Sequence, residues 1–318
     1  NTAVGQFALL SNTTGTLGVA VGANALDANT TGNRNTAVGS DALGSVETGA
    51  TNTAVGSDAL KLNTASDNTA IGGFALAANT SGTRNVAVGI QALEANTTAD
   101  DNTAIGRQAL KTNTTGENNT AIGKSALTDN TTADNNTAVG YNALLANTTG
   151  TSNVAVGALA LDANTTTNNN VAVGMSALGA NTASNNTAVG NEALQLNTTG
   201  TLNTAVGGAA LDANTTGTSN TAVGRGSLGA NTTASFNTAV GHDALSLNTT
   251  ATGNTALGMQ ALRDNSSGAD GVAVGLNALR LNTSGNNNVA VGRGAMEVNT
   301  SGSNNVAVGA FALDAATT

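Results

Sequence analysis

"NTAVGYNALLANTTGTS", residues 136–152, is a unit that returns along the whole chain. Counted from its Asn as position 1, copies begin at Asn1, Gly18, Asn35, Asn52, Asn68, Asn85, Asn102, Asn119, Asn136, Asn153, Asn170, Asn186, Asn203, Asn220, Asn237, Asn254, Gly271, Asn288 and Asn305. Sixteen have 17 residues, two have 16 and the last has 14, so none of the 318 residues lies outside the pattern. The consensus reads N-[TV]-A-[VI]-G-x-x-A-L-x-[AL]-N-T-[TS]-G-x-x. Position 3 is Ala and position 5 is Gly in all nineteen copies; position 8 departs once, at Ser227, and position 9 once, at Met296. The short copies, from Asn52 and Asn186, lose their residue after the Asn-Thr pair, which marks that stretch as a tolerant loop.

The period selects the architecture. Paired-helix repeats need about 33–47 residues and leucine-rich repeats 20–29, so neither fits. Gly at position 5 and the N-T-T-G cluster also leave no useful helical run. Short strands remain, and the fold class is all-β, a parallel β-solenoid of about 19 coils of 17 residues. The expected coil has strand one at positions 2–4, a corner at 5–7, strand two at 8–11 and a polar return loop at 12–17. Strand alternation then assigns faces. Positions 2, 4, 9 and 11 are expected inside, so that Val4, Leu9, Val139, Leu144 and Ala146 fill the coil. Positions 3 and 8 are expected on the other face, where Ala138 and Ala143, with Gly5 and Gly140 at the corner, permit close approach. Positions 6, 7 and 10 vary freely and are expected in solvent.

A single coil cannot fold alone. Burying one Val and one Leu gains about 1.5–3 kcal/mol each, while ordering each residue's backbone costs about 1–2 kcal/mol. Stacking pairs the backbone groups and makes the apolar columns continuous. At about 4.8 Å per coil the copies would build a rod roughly 90 Å long. An outward Ala at position 3 in every copy suggests a second buried contact, with an identical chain as the simplest partner; crowding inside a thin coil is the alternative.

Composition narrows the function classes. Aromatics are 2% and charged residues 9%, too few for a thick globular core, while the apolar quartet and the absence of proline oppose disorder. Net charge is −9, with ten Lys and Arg thinly scattered, which opposes nucleic-acid binding. No cysteine, no signal peptide and no apolar run near 18 residues occur, so no membrane insertion is expected of this segment.

The blocks NVAVG (85–89, 153–157, 288–292, 305–309) and NTAIG (68–72, 102–106) resemble the head repeat of trimeric autotransporter adhesins of the YadA type. Similar repeats occur in phage tail fibres and related surface fibres. The resemblance implies a left-handed β-roll assembled as a homotrimer and an adhesive role outside the cell, at a cell surface or on a virion. Residues 1–318 are expected to form a single repetitive β-roll domain, an excerpt of a longer fibrous protein. The family's usual period is nearer 14, and this repeat carries a longer N-T-T-G insertion.

Other chemistries are weaker. His242, the only histidine, stands at variable position 6 with Tyr141 and Lys124, so no enzyme is expected. Only one hexad per coil fits a hexapeptide-repeat acyltransferase. Asp recurs at position 10 (Asp27, Asp162, Asp212, Asp314) and position 7 (Asp41, Asp58, Asp243) without a continuous column, and calcium needs several converging oxygens. No metal or cofactor is expected. Asn at positions 1 and 12, including Asn12, Asn136 and Asn147, forms two columns, broken by Gly18 and Gly271 in one and by Val46 and Ala316 in the other. Stacked amides of this kind read as structural ladders. Their N-T-T context also matches glycosylation acceptors, a match that follows from repetition. Thr at positions 13 and 14 raises ice binding, opposed by the loop setting. The expected function is an extracellular structural and adhesive fibre segment. Its partners would be identical chains and a host receptor, glycan or matrix. The alternatives are a purely structural filament or tail-fibre shaft.

Overall fold

A computed structural model describes residues 1–315; Ala316 lies outside the described residues. The chain forms two compact units, Asn1–Ala158 and Leu159–Thr318. The first carries β1 (Thr2–Val4) to β10 (Val154–Val156), the second β11 (Val171–Val173) to β19 (Val306–Val308). Every strand spans positions 2–4 of its copy, where β-branched residues at 2 and 4 favour extended backbone. Pairing within each unit is parallel and in register: Thr137, Ala138 and Val139 face Val154, Ala155 and Val156, and Val171 faces Thr187. Each unit is thus a parallel β-solenoid, with no helix among the described residues.

Position 5 ends each strand. Its glycines have φ between 130° and 142°, and a Cβ on Gly140 would lie 2.5 Å from the Gly157 carbonyl oxygen. Only glycine satisfies both constraints.

Positions 8–11 do not form the expected second strand. The chain instead makes consecutive tight turns: Ala143 N–H donates to Gly140 O at 3.4 Å, and Asn147 N–H to Leu144 O at 3.4 Å. Positions 7 and 9 are left-handed throughout; Asn142 and Leu144 both have φ of 52°. Such a backbone costs a non-glycine residue about 1–2 kcal/mol, and complete burial of the Leu side chain returns about 1.5–3 kcal/mol. Coil-to-coil bonds continue through these turns, as in Leu127 N–H to Ala143 O at 3.0 Å.

Position 9 lies inside as expected, whereas positions 3 and 8 exchange faces with positions 2 and 4. Ala138, Ala143 and Leu144 are all 0% exposed and line the inside of the coil. Val139 and Ala146 are only half-buried, and Val4 is 59% exposed. Position 2 and 4 side chains therefore point outward, and position 3 points in. The invariant Ala at position 3 follows from crowding within one thin coil, where Leu at position 9 is the one large side chain. Contact with a second chain is not needed to explain it.

Candidate functional site

Three surfaces can do chemistry or recognition: the outer sheet face, the Asn-lined corner and the variable ridge.

The outer face carries Thr or Val at position 2 and Val, Ile or Leu at position 4, with no charged residue in either column. Its side chains are half-exposed away from the first and last strands, with Ile71 at 42% and Ile105 at 40%. Because the strands pair in register, these branched side chains stack into two straight uncharged ridges within each unit, an aliphatic one at position 4, as in Ile105, Ile122 and Val139, and a Thr-bearing one at position 2, as in Thr103, Thr120 and Thr137.

The corner is built by buried amides. Asn136 Nδ2 and Asn147 Nδ2 both donate to the Gly150 carbonyl, at 2.9 Å each, clamping the return loop. Asn147 Nδ2 also donates to Asn130 Oδ1 at 3.0 Å, so position 12 is a side-chain ladder. Position 1 works differently: Asn136 Oδ1 accepts the backbone N–H of Asn153 at 2.9 Å. This explains the substitutions. Gly271 keeps its N–H bond to Asn254 Oδ1 at 2.8 Å, and Val46 fills the amide's place while fully buried. Asn12 sits at the half-exposed end of its column and still donates to Gly15 O at 3.2 Å. An acceptor amide that is 0% exposed and already engaged, as in Asn147, is not presented for glycosylation in the folded chain.

The threonine column is more regular than its loop setting suggests. Thr114 Oγ1 donates to Thr131 O at 3.0 Å, and Thr198 Oγ1 to Thr215 O at 2.9 Å. The bond persists beside the short copies, where Thr64 donates to Thr80 O and Thr182 to Thr198 O, both at 2.9 Å. The following positions are not merely tolerant either. Asp100 Oδ1 accepts the N–H of Thr83 at 2.7 Å, Asp134 Oδ1 that of Glu117 at 2.8 Å, and Ser235 Oγ that of Thr218 at 2.9 Å. Alternation of Asn, Asp or Ser with other residues at position 16 through residues 16–134 is the sequence signal for these caps.

The ridge of positions 6, 7 and 10 is mixed. Position 6 is exposed wherever it holds a charged residue, while positions 7 and 10 are mostly half-buried. At position 10, Asp27, Asp162 and Asp212 each precede a Gly in the next copy, and Oδ1 lies 3.6, 3.7 and 3.5 Å from where a Cβ of Gly44, Gly179 or Gly229 would stand. The glycine leaves room for the carboxylate. Burial pushes the carboxyls of Asp162 and Asp212 above their ordinary range, and Asp27 Oδ1 is buried without a protein partner. An open recess of about 570 Å³ beside Asp162 is also lined by Ser176, Gly179, Ala180 and Gln195. Asp58 is held below the usual range by Lys61, at 2.7 Å. His242 Nδ1 lies 3.2 Å from Asp243 Oδ2 and Nε2 lies 3.4 Å from Arg225 Nη1. Among the described residues no three His, Cys, Asp or Glu side chains gather as a metal-binding group, and no helix is long and apolar enough to cross a membrane.

No family model matches this chain, and no curated protein matches it.

Proposed function

We propose that the chain is a segment of an extracellular fibre built from identical chains, a rigid left-handed β-roll that displays its variable ridge for attachment to a cell surface, glycan or matrix. The observation that carries this reading is the outer sheet face. Two outward columns free of charge in nineteen copies, one of them aliphatic throughout, on a chain of net charge −9, are what a surface covered by another chain would have. The resemblance to trimeric adhesin heads supplies the number of chains, three, and the position outside the cell or on a virion. The contact is assigned to positions 2 and 4, in place of position 3.

Sedimentation equilibrium tests this. The chain should run as one discrete assembly, and replacing Thr120, Ile122, Thr137 and Val139 with Lys should yield monomers that keep the parent's circular dichroism. A monomeric parent, or an assembly indifferent to those four lysines, overturns the reading. A second reading, ice binding, is favoured by the one-way hydroxyl bonds at position 13, which hold side chains such as Thr114 and Thr131 in one orientation. Thermal hysteresis in the parent that vanishes on Thr114→Val and Thr131→Val would support it.

A further inference from the structure

Charge is sorted by column. The chain has 19 Asp and Glu against 10 Lys and Arg, yet position 6 holds no Asp or Glu in any copy. It holds Arg107, Lys124, Arg225 and Arg293, and also the single His and the single Tyr. The cations of positions 10 and 17 are mostly neutralised: Lys61 by Asp58 at 2.7 Å, Arg84 by Asp101 at 2.7 Å, Lys111 by Glu94 at 3.6 Å, Arg263 by Asp264 at 2.5 Å and Arg280 by Glu297 at 2.8 Å. Among the described residues none of the four position 6 cations is in an ion pair within 4.0 Å. Three of them meet rings instead: Lys124 Nζ lies 5.4 Å from the Tyr141 ring centre, Arg293 Cζ 5.4 Å from that of Phe311, and Arg225 Nη1 3.4 Å from His242 Nε2.

In the first unit this column contains a continuous exposed stripe, Ile90, Arg107, Lys124 and Tyr141, one residue per coil at steps of about 4.8 Å. Amides flank it at position 7, where Gln108 Nε2 donates to Gln91 Oε1 at 3.0 Å.

We infer that the stripe Arg107–Lys124–Tyr141 binds an anionic polysaccharide, one bearing sulfate or carboxylate groups. Arg107 and Lys124 meet successive anionic groups, with the planar guanidinium suited to two-point contact. Tyr141 offers a flat apolar face to a sugar ring, and the Gln and Asn amides can bond neutral hydroxyls. Absence of acid in the column leaves these cations without an acidic neighbour in their own row, on a surface whose net charge of −9 repels polyanions elsewhere. The inference rests on the attachment role proposed for the ridge and names its ligand class. An assembly of identical chains would repeat the stripe and multiply a weak contact.

The test is retention on immobilised heparin and hyaluronan, with dextran and duplex DNA alongside, and sedimentation of the same samples. The parent should bind at least one acidic polysaccharide, release it as salt rises, and ignore dextran. Arg107→Gln with Lys124→Gln should weaken binding about tenfold, as expected for losing two exposed charge contacts in a repeated site. Arg84→Gln with Lys111→Gln, which lowers the net charge equally but removes cations already paired, should weaken it clearly less. No salt-sensitive binding, equal loss from both double substitutions, or equal retention by DNA overturns the inference. If the chain binds heparin as a monomer, the inference stands and the assembly reading falls; if it assembles and binds neither polysaccharide, the reverse holds.

Discussion

The two sides of each coil solve the same problem by different means. On the strand side, Thr137–Val139 is extended, pairs with the next coil in register and alternates outward, inward, outward. On the turn side, Ala143 and Leu144 are consecutive and both buried, which extended backbone cannot achieve. Left-handed residues at positions 7 and 9 turn the chain so that neighbours share an interior. Both sides still bond coil to coil, so regular stacking does not require regular secondary structure. The strand side is locally comfortable and marginally filled. The turn side is locally strained and holds the one large buried side chain.

Breaking the junction between the two sides should have the largest effect. Gly140→Ala would place a Cβ 2.5 Å from the Gly157 carbonyl oxygen at φ of 140°, and thermal unfolding should show a loss of about 3 kcal/mol or more. A variant melting like the parent would mean that the coils can separate there at little cost. On the turn side, Leu144→Ala should cost about 2–5 kcal/mol by chemical denaturation, within the range for a buried Leu leaving a cavity.

The strand side is sharpened by a pair of substitutions at adjacent residues. Ala138→Val should destabilise by about 1–3 kcal/mol through overpacking, whereas Val139→Thr in the isolated chain should stay within about 0.5 kcal/mol of the parent. Equal effects would undo the assignment of faces. At the corner, Asn147→Leu leaves the Asn130 and Gly150 oxygens short of a donor and should cost about 1–3 kcal/mol.

The smallest expected effect depends on pH. Burial raises the folded-state carboxyl of Asp162 and Asp212 above its unfolded value. Their contribution to stability is therefore present below the unfolded range and is lost as pH rises through the folded one. Asp162→Asn with Asp212→Asn should melt above the parent at neutral pH, and the gap should close on acidification through the carboxylate range. A gap that widens on acidification would show carboxylates stabilised by the fold instead.

Much of the architecture was legible in the repeat. A period of 17 excluded paired helices, and β-branched residues around an invariant Ala located the strands. The end of each strand was legible too, because Gly at position 5 answers to a geometry that no other residue accepts. Positions 8–11 were not legible. Left-handed backbone normally announces itself through Gly or Asn, whereas position 9 holds Leu or Met at φ of 50–55°. One clue was present: Ala and Leu, each replaced in a single copy at adjacent positions, cannot both be inward on a strand. The structure places Leu9 with the buried columns in kind, but leaves Val4 and Val139 on the outer face.

The candidate surfaces divide in the same way. Tyr141, Lys124 and the other variable residues were recognisable as free to carry contacts, because nothing in the repeat constrains them. That position 6 holds no acid was legible, but which cations elsewhere are paired was not, since Arg84 is neutralised only because Asp100 and Asp101 of the next coil reach it. By itself, the sequence determined that the chain stacks short strands at a fixed period, because a 17-residue unit that buries at most one Val and one Leu cannot offset its ordering entropy alone. Only the tertiary structure decided which side of each strand is inside. That choice belongs to the turns, whose strained backbone is stable only when the coil above and the coil below hold it in place.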